Sequence, residues 1–328
     1  MSSWRQSTKR QYYGYIERWL HFSSQRQIDP MQTDAAQVLA FLTSLFEHGL
    51  GYSSLNVARS AIASFVVLKD GASVGCHPMI TRFLKGVFTL RPPAPRYNRI
   101  WDVKLVFDVL RKWAPAPTLD LKYLTLKLVM LVALVSAQRG QTLHKLRLDH
   151  MYCKGSTFFF EISDLVKQSR PGHTGLTVAL KAYPADRRLC VFTYLKLYLS
   201  RTEQLRRQTG GTTNQLFISF KKPHAAVSKD TIARWINMVL SHAGVDIGHF
   251  KPHSTRAAST SAASRLGVPL PDILRTAGWS NEATFQRYYN KPLVCHTNNM
   301  ADTLLEHSDN LLTVYFIKTQ MAFVYQPC

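Results

Sequence analysis

LKYLTLKLVMLVALVS, residues 121–136, decides how this chain is built. A helix at a protein surface carries one apolar stripe, whereas this stretch is apolar nearly all round and therefore reads as a helix buried on every side. Its longest uncharged apolar run, Leu128 to Gln138, is too short for a bilayer, which takes about 20 residues. A core helix is expected, and no membrane partner. The opening MSSWRQSTKR has no apolar centre of the kind a signal peptide needs.

Outward from this helix the pattern is mixed. Val103–Trp113 reads as a helix before it. After it, Thr157–Ile162 and Leu176–Leu180 alternate as strands, with a basic hairpin-like turn, Lys167 to Gly172, between them. Helices resume at Leu189–Arg207, Lys229–His242, a small-residue helix from about His253, Pro271–Ala277 and Glu282–Asn290. Residues 1–90 read as four short helices. The first runs from Thr8 to Ser24 with Tyr12, Ile16 and Trp19 on one face; the second is capped at Thr33 and stops near Gly49. The third is capped by Ser53 or Ser54, and the fourth opens on Pro78. Residues 91–100 form a linker with three prolines in four positions, extended and stiff, carrying Arg91, Arg96 and Arg99. The expected fold class is mainly α with a small β-sheet (α+β). The boundaries are 1–90, a linker at 91–100, a larger domain at 101–292 and a tail at 293–328.

Charge narrows the function. The chain holds 41 Lys and Arg against 20 Asp and Glu, a net charge of +21. Residues 1–100 carry 12 basic and 5 acidic side chains, residues 101–292 carry 28 and 12, and the tail carries 1 and 3. Both main segments therefore suit a polyanion, and the tail does not. A stiff basic strap between two basic bodies suits a clamp on a duplex, with Arg91, Arg96, Arg99 and Arg170 as phosphate contacts. An ordinary linker explains the strap equally well. The five cysteines (Cys76, Cys153, Cys190, Cys295, Cys328) are scattered and unpaired in pattern, which fits a reducing compartment. His249 and His253 stand four apart, but Pro252 interrupts any helix that would bring both to one metal. Neither a metal nor a cofactor is expected, since no GxGxxG, GxxxxGK[ST] or HExxH occurs.

The chemistry gathers around His253-Ser-Thr-Arg256, whose His and Arg share a helix face at a start flanked by Pro252. HxxR alone is a weak signal, and a second copy, His144 to Arg147, reads as a solvated helix face. Context separates them. Ahead of His253 lie Ala137-Gln-Arg139-Gly-Gln-Thr-Leu143 and Lys167; behind it lie Gly278-Trp279-Ser280 and Phe285-Gln-Arg-Tyr288-Tyr289-Asn-Lys-Pro292.

This ordered set, Arg, Lys, HxxR, Trp, Tyr, resembles the tyrosine recombinase (phage integrase) family up to about Pro292. Its phrasing is most similar to the Crypton and DIRS-like recombinases of eukaryotic mobile elements. The resemblance implies a helical, SAM-like core-binding domain followed by a catalytic domain. It also implies strand breakage and rejoining through a 3′-phosphotyrosyl link, and a tetrameric synapse on double-stranded DNA. The compartment would be the nucleus if the host is eukaryotic. It assigns Arg139 and Arg256 as the catalytic arginines, Lys167 as the hairpin lysine, His253 as the motif histidine and Trp279 as the His/Trp position. An acidic residue often stands three after the first arginine, where this chain has Thr142. Two tyrosines compete for the nucleophile. A nine-residue spacing from Trp279 gives Tyr288, and the mobile-element pattern gives Tyr289, which is preferred.

The residue types suit that chemistry in their own right. Phosphodiester transfer without a metal needs fixed cations on the non-bridging oxygens, and two guanidiniums supply them. A tyrosine, pKa about 10, needs such a field to attack, and a desolvated lysine could protonate the leaving oxygen. Two rival readings remain at this level: a type IB topoisomerase, and a domesticated copy that only binds DNA.

Overall fold

The computed structural model describes residues 4–113, 115–164, 175–207 and 213–294. The chain divides into two compact units that part between Arg96 and Tyr97.

The first unit contains α1 (Gln6–Gln25), β1 (Gln32–Thr33), α2 (Ala35–Glu47), α3 (Tyr52–Ile62), β2 (Val67–Leu68) and α4 (Pro78–Leu90). Trp19, Phe41, Leu42, Leu55, Ile62, Ile80 and Leu84 form its core. The Trp19 indole N–H donates to the Pro30 carbonyl at 2.9 Å, so the largest core side chain is also hydrogen-bonded. Pro78 opens α4 as expected. Two expected caps are displaced. Asp34, not Thr33, caps α2 by accepting from the Gln37 amide, because the side-chain oxygen one residue later reaches the third helical N–H. Thr33 instead joins β1, which pairs in parallel with β2. Gly51 precedes α3, and neither Ser53 nor Ser54 caps it, both being inside the helix.

The second unit contains α5 (Val103–Lys112), α6 (Leu121–Ser136), α7 (Gly140–His144), β3 (Met151–Lys154), β4 (Thr157–Ile162), β5 (Leu176–Lys181), α8 (Val191–Arg207), α9 (Lys229–His242), α10 (Ser254–Arg265), α11 (Leu270–Ala277) and α12 (Glu282–Tyr288). Helix α6 is the axis of this unit: from Leu124 to Ser136 every residue but Val135 is buried. Asp120 caps it, accepting from the Tyr123 amide at 2.7 Å. Its one buried charge, Lys127, sits where three acceptors converge. The ammonium donates to the Leu110 and Trp113 carbonyls and to the Tyr194 hydroxyl, at 2.6 to 2.7 Å. Burial still lowers its pKa to about 7, against the pull of Asp186.

The sheet is antiparallel in the order β3–β4–β5. Its registers run Met151 against Phe160 and Phe160 against Val178. Phe158, Phe160, Ile162, Val178 and Leu180 point into the core, as period-two alternation requires. Strand β3 was not foreseen. It is four residues long and largely exposed, so it carries no apolar alternation. The connection holding Lys167 and Arg170 lies outside the described residues. His144 and Arg147 do not share a solvated helix face. Helix α7 ends at His144, which is half-buried, and Arg147 lies beyond it, ion-paired to Asp149. Burial, with Lys145 beside it, lowers the pKa of His144. No helix among the described residues is long and apolar enough to cross a membrane.

Candidate active site

Arg256 lies in the first turn of α10 and is almost wholly buried. Two helix ends hold it. Its Nη1 donates to the Ala137 carbonyl at 2.7 Å, at the end of α6, and its Nη2 to the Ala277 carbonyl at 2.6 Å, at the end of α11. Both are negative dipole ends, which favour a guanidinium. Each helix is turned aside by a left-handed residue. Gly278, with φ 67°, takes that conformation freely. Ala137, with φ 50°, does so with a side chain, at about 1–3 kcal/mol of strain. The turn at Ala137 leads directly to Arg139, which is the residue preceding α7 rather than a cap on the C-terminus of α6.

His253 immediately precedes α10, and two contacts fix that start. The Trp101 indole donates to the Ser254 hydroxyl at 2.9 Å, and the Lys251 amide donates to the Tyr97 hydroxyl at 3.0 Å. Tyr289 follows α12. Its ring centroid lies 4.4 Å from that of Trp279, and its hydroxyl lies 3.4 Å from His253 Nε2. The Arg256 guanidinium sits 4.2 Å from the centre of the Trp279 ring and 5.4 Å from that of Tyr289. The segment carrying Tyr289 is tied down on both sides. Ser261 donates to the Tyr289 carbonyl at 2.5 Å and accepts from the Lys291 amide at 2.9 Å. Further on, Ile100 and the Pro292–Val294 segment exchange backbone hydrogen bonds of 2.8 Å.

The electrostatics are those of a site waiting for an anion. Burial first, and the charge of Arg139 second, lower the pKa of Arg256 to about 9, while Tyr289 acts in the opposite sense. Among the described residues neither Arg139 nor Arg256 has a carboxylate within ion-pair distance. Arg139 Nη1, Arg256 Nε and Trp279 Nε1 are buried donors without an acceptor. Each such group costs about 1–3 kcal/mol until something accepts from it. Beside them opens a cleft of about 270 Å³, lined by Gln138, Arg139, Gly140, Gln141, Lys229, His253, Thr255 and Arg256 among others. A phosphodiester there would meet two guanidiniums and an imidazole, with a phenol at its edge.

The structure thus brings Arg139, His253, Arg256, Trp279 and Tyr289 together from four separate stretches of sequence. It leaves Tyr288 out: that residue is 55% exposed, and its ring lies under the neighbouring Arg287, 5.3 Å from the guanidinium carbon. Of the linker arginines, Arg91 is occupied within the first unit. It stacks 3.8 Å from the centre of the Phe46 ring and donates to the Phe46 carbonyl at 2.7 Å. Arg96 and Arg99 are exposed, and Arg96 makes contacts of its own. Sequence reading missed Tyr97, Trp101, Ser261 and the turn at Ala137, which act only through tertiary contacts. It also missed Lys229, whose one local sign is a place just after the Ser228 cap.

Residues 107–292 match the phage integrase family, more than half of the chain. No curated protein matches the sequence. Among solved structures, lambda integrase as a dimer bound to a COC′ core site is similar at 14% identity and TM-score 0.52, over 91% of this chain and 76% of that one. The XerH site-specific recombinase bound to palindromic difH substrate is similar at 12% identity and TM-score 0.51, over 78% and 68%. The Tn1549 transposon integrase in complex with transposon right end DNA gives 12% and 0.51, over 84% and 85%. At these identities the likeness speaks for the fold.

Proposed function

Because the chain belongs to the phage integrase family, we propose that it is a site-specific DNA recombinase that breaks and rejoins duplex DNA through a covalent 3′-phosphotyrosyl intermediate. One observation carries this reading: the Tyr289 hydroxyl stands 3.4 Å from His253 Nε2, beside the buried Arg256 and the cleft it shares with Arg139. In that arrangement the Tyr289 oxygen attacks phosphorus while the bond to the 5′ oxygen breaks. His253 Nε2 is placed to take the phenolic proton. Arg139 and Arg256 stabilise the charge gathering on the two non-bridging oxygens, and Arg256 does so without reorganising because two carbonyls already hold it. The 5′ oxygen leaves with a proton, the role proposed for Lys167. The phosphotyrosyl bond conserves the energy of the broken linkage, so rejoining needs no ATP.

The wider reading follows the sequence resemblance and the DNA-bound neighbours. The partner is double-stranded DNA, the working form is a tetrameric synapse, and the source is a mobile element of the Crypton or DIRS-like kind. The test uses nicked duplexes with a randomised core, incubated with the full chain and extracted with phenol and detergent. Wild-type protein is expected to capture DNA covalently, with EDTA present, and Tyr289→Phe to capture none. Binding without any covalent capture would replace the recombinase with a DNA-binding protein. Capture that disappears with EDTA and returns with Mg²⁺ would place the chemistry elsewhere.

A further inference from the structure

The catalytic cleft holds a cation that the tyrosine mechanism does not use. Lys229, the first residue of α9, lines the same cleft as Arg139, His253 and Arg256. Its position is set by the helix it begins: Ser228 accepts from the Thr231 amide at 3.2 Å and fixes the first turn. The aliphatic stem lies beside Gly140, where a Cβ on the glycine would stand 4.0 Å from Lys229 Cγ. Gly140 adjoins Arg139, so the lysine and the arginine flank one wall. The Lys229 ammonium is held only loosely. Its carboxylate neighbour is Asp230 at 3.7 Å, a side chain 85% exposed and adjacent in sequence, which makes a weak surface pair. The contrast with Lys127, the buried lysine of α6, is direct. Lys127 spends three hydrogen bonds on protein acceptors, whereas Lys229 keeps more than half its side chain in solvent at the cleft.

We propose that Lys229 contacts the DNA phosphate bound in this cleft, as a third cation beside Arg139 and Arg256. This rests on the reading of the cleft as the site of DNA cleavage. Its role is to hold the phosphate for attack, not to protonate the leaving oxygen. An exposed ammonium that exchanges with water serves as a charge, whereas proton delivery needs a group held at the 5′ oxygen. A single charged hydrogen bond of this kind is worth about ten-fold in rate or affinity.

The experiment begins with the duplex that wild-type protein captures covalently from the randomised pool. If wild type captures none, the recombinase reading itself fails, and the Lys229 proposal falls with it. On the captured duplex, Lys229→Met is expected to slow adduct formation about ten-fold, and Lys229→Arg to recover most of the loss. Replacing the bridging 5′ oxygen by sulfur, which leaves without a proton, is expected not to rescue Lys229→Met. Circular dichroism should show both variants folded, because the side chain is exposed and inside no core. Wild-type rates in Lys229→Met would overturn the proposal. So would full rescue by the sulfur substrate, which would make Lys229 the proton donor, or equal loss in Lys229→Met and Lys229→Arg.

Discussion

The two units bury different things. Among the described residues, the first unit keeps only Ser23 and Thr33 as buried polar side chains, while the second buries Lys127, Arg206 and Arg256 and nine neutral polar residues besides. Yet both units are basic by sequence. The first carries its charge on the surface, where solvation is nearly free and a phosphate backbone can reach it. The second takes part of its charge inside, where desolvation is costly and only a structural or chemical return justifies it. Lys127 and Arg206 are answered by protein acceptors: Arg206 donates to the Thr213, Gln215 and Leu216 carbonyls. Arg256 is answered only in part, with Nε left over. On the proposed reading, the surface cations away from the cleft bind DNA, and the incompletely paired buried cation serves the reaction.

Removing the buried cation should therefore separate chemistry from binding more than any other change. Arg256→Ala is expected to lower the rate of adduct formation by about a thousand-fold or more, as deletion of a transition-state charge does. DNA affinity should stay within a few-fold in a gel-shift titration. An affinity loss as large as the rate loss would erase the distinction between the two kinds of cation.

The surface charges should show themselves in salt. Affinity for the captured duplex is expected to fall linearly in a log–log plot, by about a hundred-fold between 50 and 200 mM salt if a handful of phosphates are neutralised. Arg256→Ala should lower that slope by no more than about one, the share of a single phosphate contact. A flat plot would remove the basic surfaces from the account.

What could be read in advance follows the same division. The buried axis α6 was legible to the residue because nothing but a core helix is apolar on all sides for four turns, and β4 and α9 were legible from period alone. HxxR, Arg139, Trp279 and the Tyr pair were legible as a set. The choice between Tyr288 and Tyr289 was not, because adjacent residues differ only in the direction their side chains take, and tertiary packing on Trp279 and His253 decides that. Ser261 could not be found, since a serine in a run of small residues reads as packing until Tyr289 is brought against it across 28 residues. The burial of Lys127 was hidden for the opposite reason: its apolar neighbours were visible, and its three acceptors were not.

Lys127 gives a smaller, pH-dependent contrast. Burial lowers its pKa to about 7, below the ordinary lysine value of 10.5. Below pH 7 it is charged in both folded and unfolded states, and the burial cost is fully present. Between pH 7 and 10.5 the unfolded chain binds the proton and the folded one releases it, so stability rises with pH. The melting temperature is expected to climb by a few degrees from pH 6.5 to 9, and less in Lys127→Met, measured by calorimetry. Equal slopes would mean that its three acceptors hold the ammonium charged throughout.

The smallest effect is expected at Tyr288. Tyr288→Phe should change adduct formation by less than about two-fold, since an exposed hydroxyl outside the cleft is not placed for in-line attack.

Tyr289 is the residue proposed to become joined to DNA. Wild-type adduct can be trapped on a nicked duplex, digested with trypsin and nuclease, and the nucleotide-bearing peptide sequenced by fragmentation mass spectrometry, which separates neighbouring tyrosines. The modification is expected on Tyr289, with Tyr288 unmodified. A nucleotide found on Tyr288 would contradict the account: the site built from His253, Arg256 and Trp279 would then be holding the wrong tyrosine.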